Sequence, residues 1–375
     1  MRVLIVHNRY RAHGGEERAV GEIAGLLARH GHAVEVLERT SAGVSRADAA
    51  RALLTGGVDG AEVAAAVRRL RADVVHAHNL HPLLGWRALA AARAAGARSV
   101  LHLHNFRLFC AIGVAYRDGG TCFQCRARNT LPGMLHRCRG SLAEAAVYAV
   151  ALRAQQPLLL QHADTLVVLS EAHSARLRAL GLPAALSVAT LPNFVAASGW
   201  ATATRAGEGE YALVAGRLVE EKGFDTAIAA ARRVGVPLLV AGKGPDEARL
   251  RALAAGADVR FAGWLSADAL AAARAGAAAV LVPSRWEEVC PYSVLDALAA
   301  GVPTLVSDLG GLPELVDAGA ALPAGDIDAW ARTLAALWND PEARRRRGEQ
   351  ALAAARERFG EERYLERLLS VYRGG

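Results

Sequence analysis

The chain has 375 residues, 53% of them hydrophobic and 22% charged, and carries a formal net charge of +7. That length and apolar content bury a large core, set two domains as the expectation and exclude a disordered chain. The positive balance suits a phosphorylated substrate or an anionic membrane surface. The arginines are scattered without aromatic interleaving and no recognised binding motif accompanies them, so nucleic acid is not expected as a partner.

In chain order, Met1 to Asn8 turns polar too soon for a secretory segment and predicts a first buried strand at Val3–His7. A cytoplasmic protein is the resulting expectation. Short β-branched runs near Val34–Leu37, Val74–His76, Ser99–His102 and Thr165–Leu169 then alternate with alanine-rich stretches of helical period, which predicts βαβ units around a parallel sheet. The apolar stretch from Ala145 to Leu160 is broken by Arg153, Gln155 and Gln156, falls short of the ~20 apolar residues a spanning helix needs, and predicts an internal helix. Leu191-Pro192-Asn193 and the weakly patterned Ala196 to Gly209 mark a linker. The grammar then restarts, with strands near Ala212–Ala215, Leu238–Ala241, Val259–Ala262, Ala279–Val282 and Thr304–Val306. From Asp340 onward two amphipathic helices are expected, with Arg344 to Arg347 on a solvated face.

The expected architecture is therefore α/β, two Rossmann-like doubly wound parallel-sheet domains facing across a cleft that receives ligands at the carboxyl ends of the strands. Its bounds are residues 1–195 for an acceptor-binding domain with a cysteine-rich insertion at about 105–140, 206–358 for a donor domain, and 359–375 for a helix packing back toward the first domain.

The densest chemical signal runs from Val282 to Pro303. A strand ends at Pro283, a polar loop follows, and a helix begins near Pro291, a residue type well tolerated at a helix start. Glu288 on the loop can accept hydrogen bonds from sugar hydroxyls, while Asp296 in the helix can reach a ribose diol. Free amides at that helix start, around Pro291, Tyr292 and Ser293, offer a phosphate site. Upstream, Gly216-Arg217 and Lys222-Gly223 follow another strand, and Arg217 with Lys222 would neutralise a diphosphate and stabilise its departure. Each residue alone would as readily be a surface ion-pair partner.

The pattern Gly-Arg-Leu-x4-Lys-Gly, then Gly242-x-Gly244-Pro, then Pro-Ser-x-Trp-x-Glu-x7-Asp-Ala-Leu-Ala-x-Gly-x-Pro resembles the retaining GT-B glycosyltransferases of group four. The first half resembles them too, in Gly14-Gly15-Glu16, His30-Gly31-His32 and His104-Asn105. The resemblance implies transfer of a hexose from a nucleotide diphosphate-sugar with retention of configuration, the leaving phosphate itself drawing the acceptor proton. It implies Arg217 and Lys222 on the donor diphosphate, Glu288 on the transferred sugar, Asp296 on the ribose and His104 lining the sugar pocket. Gly14 and Gly15 would close over the phosphates, and Gly216, Gly242 and Gly244 would meet the nucleotide. The family usually has glutamate where Asp296 stands and often Gly-Phe-Gly where this chain has Val289-Cys290-Pro291. Cys290 is thus within the donor motif and reads as a packing residue. Uridine diphosphate is favoured over guanosine diphosphate as the donor nucleotide, and no catalytic metal is expected. The acceptor is a soluble metabolite or a lipid-linked saccharide, the latter with peripheral contact at the inner face of the membrane.

Cys110-x11-Cys122-x2-Cys125-x12-Cys138 has a knuckle-like core in a segment poor in apolar residues. Structural zinc, buried thiols and disulfides are the three readings, the last disfavoured by a reducing compartment. His76, His78, His81 and His102 receive no role, since no acidic residue completes a ligand set with them. A sugar-nucleotide phosphorylase or epimerase on the same fold, and a non-catalytic nucleotide-sugar binding module, are the rival readings.

Overall fold

The alternating apolar runs form two separate parallel sheets in a computed structural model that describes residues 1–9, 14–58 and 60–375. Contacts divide the chain into two units: Met1–Ala115, Phe123–Pro192 and Tyr364–Gly375 form the first, Tyr116–Cys122 and Asn193–Arg363 the second.

The chain runs through β1 (Arg2–Arg9), α1 (Gly15–Arg29), β2 (Ala33–Thr40), α2 (Arg46–Thr55), α3 (Ala61–Leu70), β3 (Val74–Ala77), α4 (Gly85–Ala94) and β4 (Arg98–His102). A short antiparallel hairpin, β5 (Tyr116–Arg117) and β6 (Gly120–Thr121), precedes α5 (Leu131–Leu135), α6 (Leu142–His162), β7 (Thr165–Val168), α7 (Glu171–Ala179) and β8 (Val188–Thr190). The first unit's sheet has the order β2-β1-β3-β4-β7-β8 with every pair parallel. Its central strands β3 and β7 are buried along their whole length, as expected when helices cover both faces of a parallel sheet. Helix α6 starts where the Ser141 hydroxyl accepts from the Glu144 amide, and it contains the internal apolar stretch.

The second unit holds β9 (Tyr211–Ala215), α8 (Phe224–Val234), β10 (Leu238–Ala241), α9 (Glu247–Leu253), β11 (Val259–Gly263), α10 (Ala267–Ala275) and β12 (Ala277–Val282). There follow α11 (Tyr292–Ala299), β13 (Thr304–Ser307), β14 (Ala321–Leu322), α12 (Ile327–Trp338) and α13 (Pro341–Phe359), and last α14 (Glu361–Arg373), most of which belongs to the first unit. Strand order β11-β10-β9-β12-β13-β14, all parallel, is the 3-2-1-4-5-6 of the dinucleotide-binding fold. Trp330 is fully buried in its core beside Phe224, Leu238 and Leu334, and its indole N–H is satisfied by the Pro323 carbonyl at 3.1 Å.

The edge strands β8 and β14 and the hairpin were not expected; they are two or three residues long and carry no alternation of their own. A second difference concerns Arg344, expected on a solvated face and found 5% exposed. Its guanidinium donates to the carbonyls of Ala206 at 2.9 Å, Gly207 at 3.0 Å and Leu337 at 3.1 Å, so it ties the linker to α12 and α13 by satisfying buried backbone oxygens. Arg345, Arg346 and Arg347 are exposed. Among the described residues no helix is long and apolar enough to cross a membrane.

Candidate active site

In an open parallel sheet the crevice lies where the strand order reverses, which in the second unit is between β9 and β12. The turn after β9 carries Arg217 and Lys222; the loop after β12 carries Ser284, Trp286 and Glu288. They meet there. Lys222 Nζ lies 2.5 Å from Glu288 Oε1, and the Ser284 hydroxyl donates to the same oxygen at 2.9 Å. The ammonium also sits 5.5 Å from the centre of the Trp286 ring, a cation–π distance. Both contacts fall on Oε1 and leave Oε2 as an acceptor site on a carboxylate otherwise 6% exposed.

Backbone contacts hold this arrangement. The Glu288 amide donates to the Trp286 carbonyl at 2.9 Å, and the Glu288 carbonyl accepts from Gly311 at 2.7 Å. Gly223 adopts φ of +66° and lies so close to the β12 loop that an added Cβ would stand 2.0 Å from the Pro283 carbonyl oxygen. Gly242, at φ +138°, would put a Cβ 1.8 Å from the Gly216 oxygen. These glycines let the strand-end loops touch backbone to backbone. Gly244 approaches the Leu218 carbonyl in the same way.

The remaining expected donor residues are placed as follows. Arg217 is exposed, its guanidinium 3.5 Å from Glu221. Asp296 lies on α11 and is paired at 3.0 Å with Arg274 of α10, so its carboxylate is held by a neighbouring helix. Pro291 caps α11, followed by buried Tyr292 and half-buried Ser293. Cys290 is 3% exposed, burial pushes its thiol up to about 12, and its carbonyl accepts from the Asn193 amide at 2.8 Å. Sequence reasoning missed Ser284, Trp286 and Arg274. Lys222 carried a signal in being one of two lysines in an arginine-rich chain.

In the first unit the strand order reverses between β1 and β3. His76 on β3 with His78 just beyond it and, at the end of the neighbouring β4, His102 with His104 two residues on form a two-by-two block of imidazoles. Its rings lie 4.3 Å apart for His102 and His104, and 4.4 Å for His76 and His78. The Tyr372 hydroxyl from α14 meets His76 Nδ1 at 2.8 Å, His76 Nε2 meets His102 Nδ1 at 3.2 Å, and His78 Nδ1 meets His104 Nε2 at 2.8 Å. Burial pushes His76 and His173 down to about 3 and holds His78 and His102 well below the ordinary imidazole value, neighbouring imidazoles adding to it at His78 and His102. His104 is also lowered, first by burial. The rings are thus neutral, each with one donor and one acceptor nitrogen.

His104 is half-buried on the wall of a small cavity of about 40 Å³ lined also by Glu16, His78, His102, Asn105 and Arg107. Gly14 and Gly15 stand at the start of α1, and residues 10–13 before them lie outside the described residues. Gly14 caps α1, Gly15 is its first residue, and the Glu17 carboxylate accepts from the Gly14 amide at 2.9 Å while lying 3.7 Å from His7. The helix start is closed by its own carboxylate.

Among the described residues, the group of three or more His, Cys, Asp or Glu side chains whose ligand atoms lie within 4.8 Å of one another is His76, His78 and His102. Three imidazoles are a donor set suited to zinc. His76 Nε2 and His102 Nδ1 already satisfy each other, whereas His78 Nε2 and His102 Nε2 are buried with no hydrogen-bond partner among the described residues. Cys110, Cys125 and Cys138 belong to the first unit and Cys122 to the second; all four are half-buried thiols, and those of the first unit do not make such a group among the described residues.

Residues 14–193 match the Glycosyl transferase 4-like domain and residues 202–353 match Glycosyl transferases group 1. The chain belongs to the group 1 glycosyltransferase family. Among curated relatives, glycogen synthase of Mycobacterium tuberculosis is 32% identical over 220 residues, 53% of this chain and 51% of that protein. A GDP-mannose-dependent alpha-(1-6)-phosphatidylinositol dimannoside mannosyltransferase of the same organism is 35% identical over 156 residues, 40% of this chain and 39% of the relative. The chain thus spans about half the length, or less, of the curated relatives it matches. Among solved structures, sucrose-phosphate synthase from Thermosynechococcus elongatus superposes with a TM-score of 0.74 at 18% identity, over 100% of this chain and 98% of that one. HepE of Anabaena in complex with UDP does so with 0.68 at 18% identity, over 100% of both chains. At that identity the likeness establishes the fold, which is GT-B.

Proposed function

We propose that the protein is a retaining glycosyltransferase that moves a hexose from a nucleotide diphosphate-sugar, with uridine as the nucleotide, onto an acceptor hydroxyl of a lipid-linked saccharide. The observation that carries this reading is the Lys222–Glu288–Ser284 cluster at the switch point of the second unit. An ammonium has three donors, so Lys222 holds Glu288 and still offers hydrogen to a diphosphate, with Arg217 adding a second cation nearby in sequence. Glu288 Oε2 would accept from a sugar hydroxyl and fix the ring. As the glycosidic bond breaks, charge develops on the diphosphate and the two cations stabilise it. The acceptor would attack from the face the nucleotide leaves, its proton passing to the departing phosphate oxygen, so no protein base is required. The neutral His104 would serve as a hydrogen-bonding group to a sugar hydroxyl, a role suited to an uncharged ring.

The mannosyltransferase relative named for a phosphatidylinositol dimannoside supports a lipid-borne acceptor, and the UDP complex of HepE supports uridine. The test is thermal stabilisation by uridine and guanosine diphosphates and their sugars. The expected outcome is a shift with UDP amounting to ~2.7 kcal/mol at a hundred times its dissociation constant, lost in Lys222→Ala. A wild type indifferent to every nucleotide overturns the donor-site reading. Retention is read separately from the anomeric configuration of the product.

A further inference from the structure

Nine large hydrophobic side chains are exposed among the described residues, and four of them fall within twenty residues of one another: Leu131 (51%), Leu135 (65%), Leu142 (53%) and Val150 (56%). They belong to α5 and the first half of α6, in the first unit. The two helices are fastened together at this point. The Thr130 hydroxyl donates to the Ala149 carbonyl at 2.7 Å, which sets the start of α5 beside Val150, and the Arg153 guanidinium donates to the Arg128 carbonyl at 3.0 Å. The leucines and the valine are thus presented by a braced pair of helices.

The charge around them has one sign. Between Phe123 and Ala154 the chain carries Arg126, Arg128, Arg137, Arg139 and Arg153 against a single carboxylate, Glu144. Glu144 is taken by Arg139 at 2.8 Å, and the other four arginines are exposed. Apolar side chains standing out of a surface ringed by arginine match the two layers of an anionic bilayer, acyl boundary below and phosphate above. Scattered aliphatic side chains with arginines of one sign and no exposed aromatic anchor among the described residues of the face favour a lipid surface over an acidic protein partner, whose interface core is enriched in aromatic residues.

We infer that α5 and the N-terminal half of α6 form a docking face for an anionic lipid bilayer, with Leu131, Leu135, Leu142 and Val150 entering the headgroup boundary and Arg126, Arg128, Arg137 and Arg153 pairing with lipid phosphates. This face deepens the proposed use of a lipid-borne acceptor and takes its purpose from that reading. The face lies within the cysteine-bearing segment, since Cys125 and Cys138 bracket α5 in the chain.

The experiment is flotation of the full chain, without donor, on vesicles of phosphatidylcholine alone and of phosphatidylcholine mixed with phosphatidylglycerol. Wild type is expected to float with the anionic vesicles only and to be released by high salt. Leu131→Glu with Leu135→Glu abolishes flotation; Arg128→Glu with Arg137→Glu lowers the partition at least fivefold for each charge removed; Trp264→Glu, at an exposed aromatic of the second unit, floats as wild type. All the altered side chains are exposed, so unchanged melting temperatures and unchanged nucleotide stabilisation are expected alongside. Wild type that stays unbound, binding equal on neutral vesicles, or patch variants that float normally each overturn the inference. So does a patch variant that changes only the oligomeric mass, which would assign the face to a second copy. Nucleotide stabilisation measured without vesicles fails or holds independently, so loss of the docking face and loss of the donor reading are distinguishable.

Discussion

Beside the switch point of the first unit the polar groups are neutral buried rings, with His76 bonded to His102 and His78 to His104. At the switch point of the second unit they are ions, Lys222 and Glu288, set on loops and still one quarter exposed at the lysine. The two solutions have different costs. Burying ions deeply carries a desolvation penalty of several kcal/mol each, which the second unit limits by keeping its lysine at the rim. Neutral imidazoles escape that penalty, but only while they remain neutral.

The largest expected consequence of this difference is in acid. His76, His78, His102 and His173 have folded-state values depressed below the ordinary 6.5, so the unfolded chain binds protons first as pH falls. Their contribution is fully present above pH ~6.5 and is lost as pH falls toward their folded values, at up to about 1.4 kcal/mol per group and pH unit. Hydrogen exchange across an acid titration should therefore show the first unit opening before the second. Simultaneous loss, or the second unit opening first, would break the comparison. Next in size is Gly242→Ala, where the added Cβ strikes the Gly216 carbonyl in a loop contact of the second unit. The expected loss is about 3 kcal/mol, read as a lower denaturation midpoint, together with weaker UDP stabilisation because the strand-end loops shift. The smallest is Tyr372→Phe, which removes one hydrogen bond to His76 and should cost about 1 kcal/mol, with nucleotide stabilisation untouched. A loss of UDP binding in that variant would mean the two sites are not independent.

The sheets were legible because parallel strands buried on both faces leave mostly apolar runs, as in β1, β3, β7 and β12. The edge strands β8 and β14 were not, since two or three partly exposed residues leave no pattern. At the site, Lys222 and Glu288 could be named from their motifs, but their pairing could not, because sixty-six residues of chain separate them. Asp296 was legible as an acid and not as half of an ion pair, its partner Arg274 lying in an alanine-rich helix with no motif around it. The imidazole block had a signal that was passed over. Two His-x-His repeats begin at His76 and His102, at the ends of two neighbouring strands, and the period of two keeps the members of each repeat on one side of the sheet. What no local pattern supplied was Tyr372, 296 residues from the ring it touches.

That long return of the chain bears on the order of assembly during synthesis. Every strand of the second unit's sheet lies between Tyr211 and Leu322, and its core is complete once α12 has been made. The first unit's residues are mostly made earlier, yet Tyr364–Gly375 emerge after all of the second. The half of the molecule translated first is therefore the half finished last, and until α14 arrives the His76 ring waits without the hydroxyl that orients it.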